Sequence, residues 1–66
     1  MARRDVHVVN HGSLYLFHLL TARAEQWVTE NVSEDATRFG NALVVEHRYA
    51  QDLAEGMFAA GLGVAS

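Results

Sequence analysis

The sequence predicts an α+β fold: a small two-layer sandwich of order ββαβα, with an optional short C-terminal strand and both helices on one face of the sheet. Three observations carry that expectation. Two apolar runs rich in β-branched, leucine and aromatic residues, Asp5 to Val9 and Leu14 to Leu20, bracket a polar turn. A Trp-bearing amphipathic segment starts at Ala22. The stretch from Phe39 to Met57 then passes from a strand-like run almost without a linker into a second amphipathic helix.

The first two strands form a hairpin. Asn10-His11-Gly12-Ser13 has turn chemistry, because asparagine and glycine tolerate positive φ. With His11-Gly12 as the central pair, Val6 faces Phe17 and Asp5 faces His18. Val6, Val8, Tyr15 and Phe17 then share one face, and Asp5, His7, Val9, Leu14, Leu16 and His18 share the other. Neither face is cleanly polar. Such a hairpin needs cover on both sides, from helices on one and a partner subunit on the other.

Thr21 is placed to cap a helix from Ala22 to about Val32, with Ala24, Trp27, Val28, Asn31 and Val32 on its inner side. The polar segment from Ser33 to Thr37 ends it. Arg38 to Glu46 reads as one further strand, weakened at Gly40, where a bulge is expected. The last helix runs from His47 to about Ala60. At about 100° per residue, Tyr49, Ala50, Leu53, Ala54, Met57, Phe58 and Ala60 fill one broad arc of it. Gly61 supplies a left-handed position beyond the helix, and Leu62 the apolar contact that goes with it. Residues 63–66 form a short edge strand or fray, and residues 1–4 are a flexible end. The predicted core is Val6, Val8, Tyr15, Phe17, Trp27, Val28, Val44, Leu53 and Met57.

Sixty-six residues, half of them apolar, make one domain near the lower size limit for a self-supporting core. There is no cysteine, so disulfides, thiolate metal sites and a cysteine nucleophile are excluded. A domain this small and without staples is expected to pair with a second copy. All five basic residues are arginine, and from Glu25 to Glu55 seven carboxylates stand against Arg38 and Arg48. That sign disfavours direct nucleic-acid binding. The longest apolar run is too short for a membrane span and begins too late for a signal peptide, so a cytoplasmic location is expected.

The segments Val8-Val9-Asn10-His11-Gly12-Ser13, Trp27 in its helix, and Phe39-Gly40-Asn41-Ala42-Leu43-Val44-Val45-Glu46-His47-Arg48-Tyr49 resemble small uncharacterised proteins of bacteria, their phages and mobile elements. That resemblance implies a bacterial cytoplasmic setting and a phage-type accessory protein, of which anti-CRISPR inhibitors are one kind. It carries over no site residues.

No constellation argues for an enzyme or a cofactor. His7, His18 and Asp5 on one hairpin face would make a three-ligand metal set, but their apolar neighbours and spacing favour structural histidines, and no metal is expected. Ser13 beside His11 lacks the strand–elbow–helix frame of a nucleophile. Glu46-His47, at a strand-to-helix junction, is explained by the helix dipole. The acidic surface is the stronger candidate: Glu30, Glu34, Asp35, Asp52 and Glu55 point outward and suit a basic protein partner, such as a groove that otherwise holds nucleic acid. The expected function is a non-enzymatic inhibitor or adaptor acting through that surface. The alternative is a homo-oligomeric structural or regulatory module, a homodimer closed through Leu14, Leu16 and His18 on the apolar hairpin, and a small metal-dependent enzyme is the outsider.

Overall fold

A computed structural model describes residues 4–65. Its elements are β1 (Val6–His11), β2 (Leu14–Leu19), α1 (Ala22–Asn31), β3 (Arg38–Phe39), β4 (Ala42–Glu46), α2 (His47–Ala59) and β5 (Val64–Ala65). The strands make one sheet in the order β3-β4-β2-β1-β5. All neighbours are antiparallel except β1 and β5. The fold is α+β, as predicted, and the core joins both helices to a single face of the sheet.

Two local expectations are corrected, and glycine explains both. The first turn is Gly12-Ser13 instead of His11-Gly12, so Val6 faces Leu19 and His7 faces His18. Gly12 has φ +70°, and no described residue other than glycine has a positive φ. A two-residue hairpin loop of this kind needs glycine at its first central position, and His11 there would be strained. The slip is two residues, so the side chains keep the faces assigned to them. Arg38 to Glu46 is likewise two strands, with Phe39 facing Ala42 across Gly40-Asn41. Gly40, at φ +64°, starts this second tight turn and marks no bulge.

The core gathers Val6, Phe17, Leu19, Leu43 and Val45 from the sheet with Ala24, Val28, Ala50, Met57 and Leu62. Val8, Tyr15, Trp27 and Leu53 pack against it, half-buried. Val44 does not belong to it: it pairs with Leu16, while Leu43 pairs with Phe17 and Val45 with Tyr15. The run Ala42–Val45 is apolar throughout, so its sequence offers no alternation from which to phase the strand. The arc expected for α2 was also too wide. Ala50 and Met57 are buried and Leu53 and Ala54 half-buried, but Tyr49 and Phe58 are 52% and 75% exposed.

Capping fixes both helices. The Thr21 hydroxyl accepts from the Ala24 N–H at 3.2 Å, the expected N-cap of α1. At the end of α2, Leu62 N–H donates to Met57 O and Gly61 N–H to Phe58 O, each at 3.0 Å, with Gly61 at φ +92°. This is the Schellman arrangement, and buried Leu62 supplies its apolar contact. Residues 63–65 are held rather than frayed: Gly63 O accepts the N–H groups of Asp5 and Val6 at 2.8 and 2.9 Å. The expectations for residues 1–3 and 66 lie outside the described residues.

Asp5 is the buried polar centre of the fold, with no exposed surface. Its carboxylate accepts from the Thr21 hydroxyl at 2.7 Å and from the Gly63 N–H at 2.9 Å. One side chain therefore joins the start of β1, the cap of α1 and the approach to β5. That role also removes Asp5 from the metal set considered above, because His18 faces His7 instead. No helix among the described residues is long and apolar enough to cross a membrane.

Candidate protein-binding groove

A wide concavity lies where α1 ends and α2 begins. After Asn31 the chain leaves the helix through a turn in which Ala36 N–H donates to Ser33 O at 3.1 Å. The Asp35 N–H is bound by the Ser33 hydroxyl at 3.1 Å, which fixes the loop. The chain then enters the short strand β3, and the Arg38 guanidinium ties it to Glu25 of α1 at 3.2 Å. On the other side, β4 runs straight into α2 with no loop at all. Between the two walls is a groove of about 870 Å³.

Its apolar surface comes from Trp27 and Val32 at one wall, Leu43, Val44 and Val45 at the floor, and Tyr49 and Leu53 at the other wall. Trp27 is held in place by α2: a methyl group on Gly56 would meet its ring at 3.5 Å. The groove also carries three carboxylates, Asp35, Glu46 and Asp52, and no arginine or histidine lines it. Glu46 has a distant cation, the Arg48 guanidinium at 3.9 Å, on an exposed part of the surface. Arg48 also sits over the Tyr49 ring, 4.9 Å from its centroid. Asp35 and Asp52 form no ion pair among the described residues. A smaller cleft of about 340 Å³ on the far side of α2, lined by Val8, Tyr15, His47 and Val64 among others, has no carboxylate.

The five acidic residues singled out in the sequence are all exposed, but they do not form one patch. Asp35 and Asp52 meet at the groove. Glu34 borders an adjoining cleft beside Arg38. Glu30 lies by Arg23 and Trp27 and accepts from Gln26 at 3.1 Å. Glu55 accepts from Gln51 on the outer side of α2 and does not line the groove. Sequence reasoning missed Glu46 as a groove carboxylate, although its position at the strand-to-helix junction was the available signal.

Leu16 and His18 lie on the sheet face that carries no helix, together with Val9 and Val44. Leu14 is at the end of the same face and also lines the groove. Ser13 and His11 are exposed at the hairpin tip, where Ser13 O accepts the His47 N–H at 3.3 Å. His47 in turn packs its ring against Tyr15, with centroids 5.2 Å apart.

No protein-family model, curated protein or solved structure matches the chain. The groove must therefore be interpreted from its own chemistry. An apolar trough whose lining carries carboxylates and no cation suits a segment that offers apolar anchors and cations together.

Proposed function

We propose that this protein is a non-enzymatic binding protein whose groove takes a basic, amphipathic segment of a partner protein. The observation that carries the reading is the combination of Trp27 and Leu53 in an apolar trough with Asp35 and Asp52, and no basic residue, in its lining. Aromatic anchors supply contact area, while the carboxylates steer a cationic partner and select its orientation. Segments that hold phosphates in nucleic-acid-handling proteins have this chemistry, so an accessory inhibitor of such a complex, of phage or mobile-element type, is the role we assign. A cytoplasmic setting goes with that role.

Trp27 is the only tryptophan and lines the groove, so its fluorescence reports occupancy directly. The probe is a tryptophan-free helical peptide with arginines on one face and leucines on the other. Binding should shift the emission and weaken as salt rises. Asp35→Arg with Asp52→Arg should lower affinity more than about tenfold through lost attraction and added repulsion. Glu55→Arg, outside the groove, should change it little. Equal losses in both variants would mean that net charge alone attracts the peptide, and an unchanged emission would exclude the groove.

A second reading, self-association through the helix-free sheet face, is favoured by the apolar Val44–Leu16–Val9 row that crosses its centre.

A further inference from the structure

The helix-free face contains one chemical feature that apolar packing does not use. His7 and His18 are direct cross-strand partners and so project from the same face. Their ring centroids are 6.2 Å apart and the planes are tilted by 34°. They occupy the middle of a row that runs Phe39, Ala42, His18, His7, Ala65 across all five strands. The pair is thus flanked on both sides by alanine. His7 Nδ1 is buried and has no hydrogen-bond partner among the described residues. Because Nδ1 is closed to solvent, Nε2 is the ring nitrogen that remains to meet a ligand from outside.

We propose that His7 and His18 are half of a divalent transition-metal site, zinc in the first instance, and that the same pair of a second copy docked face to face supplies the other half. The proposal is independent of the groove and deepens the self-association reading. Two imidazoles bound to one tetrahedral zinc, each nitrogen about 2.1 Å from the metal, place their ring centres roughly 5–6 Å apart. The observed separation needs only small side-chain rotations to reach this. Imidazole is a borderline donor that suits zinc, copper and nickel. Among the described residues no three histidine or carboxylate side chains converge, so one chain offers two ligands and leaves the tetrahedron half filled.

A second copy fits this face for two further reasons. Charge is no obstacle: Glu46, at the rim beside Leu14, is the one carboxylate that the strand register puts here, and no arginine shares the face within β1, β2 or β4. Area explains why a metal is needed. Strands about 4.8 Å apart and six residues long present a surface of roughly 20 by 20 Å. Two such faces, overlapping only partly when a twofold axis passes through the histidine row, fall short of the roughly 1,000 Å² expected of a specific interface. The contact is therefore weak without zinc and closes with it.

The test is sedimentation and calorimetry of the full chain with zinc chloride or with EDTA. The expected result is a monomer in EDTA, and a dimer with one zinc per two chains at micromolar zinc. His7→Ala and His18→Ala should each weaken zinc binding more than about tenfold, since each removes two of the four ligands of the assembly. His11→Ala, at the exposed hairpin tip, should bind as the parent does, and circular dichroism verifies that all three variants fold. A dimer equally strong in EDTA would sustain self-association but overturn the metal bridge. Zinc held by a monomer would overturn the shared site. Zinc binding that survives both alanine substitutions, or no binding at micromolar zinc, would overturn the assignment altogether.

Discussion

Replacing Asp5 tests what holds this small domain together. Its carboxylate has no exposed surface and accepts from Thr21 and Gly63, residues 16 and 58 positions away. Asp5→Ala removes both acceptors and leaves the part-buried Gly63 N–H without its partner. Hydrogen bonds to a charged group contribute about 1.5–3 kcal/mol each, so the loss of these two should be about 3–6 kcal/mol. A domain of this length has roughly 3–10 kcal/mol in total. The alanine variant should therefore be unfolded or close to it. Asp5→Asn is the informative partner, because its amide oxygen can accept from Gly63 while its NH₂ donates to the Thr21 hydroxyl. That hydroxyl already accepts from Ala24 and has a second lone pair, so the amide should cost only about 1–1.5 kcal/mol. Urea unfolding followed by circular dichroism reads both variants. With a slope near 1 kcal/mol per molar, the asparagine midpoint should fall by about 1 M. An alanine midpoint within about 0.3 M of the parent would refute the claim that this carboxylate clasps the two ends of the chain.

Two further outcomes test the packing. Gly56→Ala should raise stability by about 0.5–1 kcal/mol, because it removes the entropic penalty of a helical glycine. Its new methyl would meet the Trp27 ring at 3.5 and 3.6 Å, ordinary van der Waals contact; a lower melting temperature would show the helices to be closer than this. Met57→Ala should cost about 2–5 kcal/mol, while Phe58→Ala, one residue on, should stay within about 0.5 kcal/mol. Met57 is fully buried and Phe58 largely exposed. Equal thermal shifts for the two would mean that α2 is rotated from the position described.

Elements with a local signal were legible in the sequence. Thr21, Gly61 and Leu62 mark helix ends through backbone requirements that do not depend on the rest of the fold, and each does what its residue type predicts. The faces of the hairpin also emerged despite a wrong turn, because a slip of two residues preserves side-chain parity. What failed depended on distant partners. The run Ala42–Val45 is apolar on both faces, and only its pairing with β2 decides that Val45 and Leu43 enter the core while Val44 does not. Asp5 has the same character: nothing local distinguishes a buried acceptor from an exposed metal ligand, since its partners come from Thr21 and the far end of the chain. At the candidate site, the exposure of Glu30, Asp52 and Glu55 was readable from helical phase, and that of Glu34 and Asp35 from their polar loop. Which of them share a groove was not, because the loop from Ser33 to Ala36 places Asp35 across from Asp52.

The two candidate surfaces use opposite sides of one thin sheet, and this determines which substitutions can separate them. The groove takes Leu43 and Val45 from the helix side of β4, whereas Val44, on the open-face side, borders both surfaces. Alternation along five residues therefore couples the surfaces through a single backbone: a substitution that shifts β4 disturbs both, and one that changes only an outward side chain need not. Leu14 is a poor probe by this criterion, since it lines the groove and also closes the last row of the open face opposite Glu46. Leu16 is a better one, lying between Val9 and Val44 and outside the groove. Leu16→Asp would place a charge at the centre of the open face, where a second copy would set another against it. Asp52 is its counterpart on the groove, exposed on α2 and remote from that pairing. Each of these two changes acts on one surface through charge at an outward position, so their opposite effects on self-association and peptide binding follow from the pleat of β4 and the phase of α2.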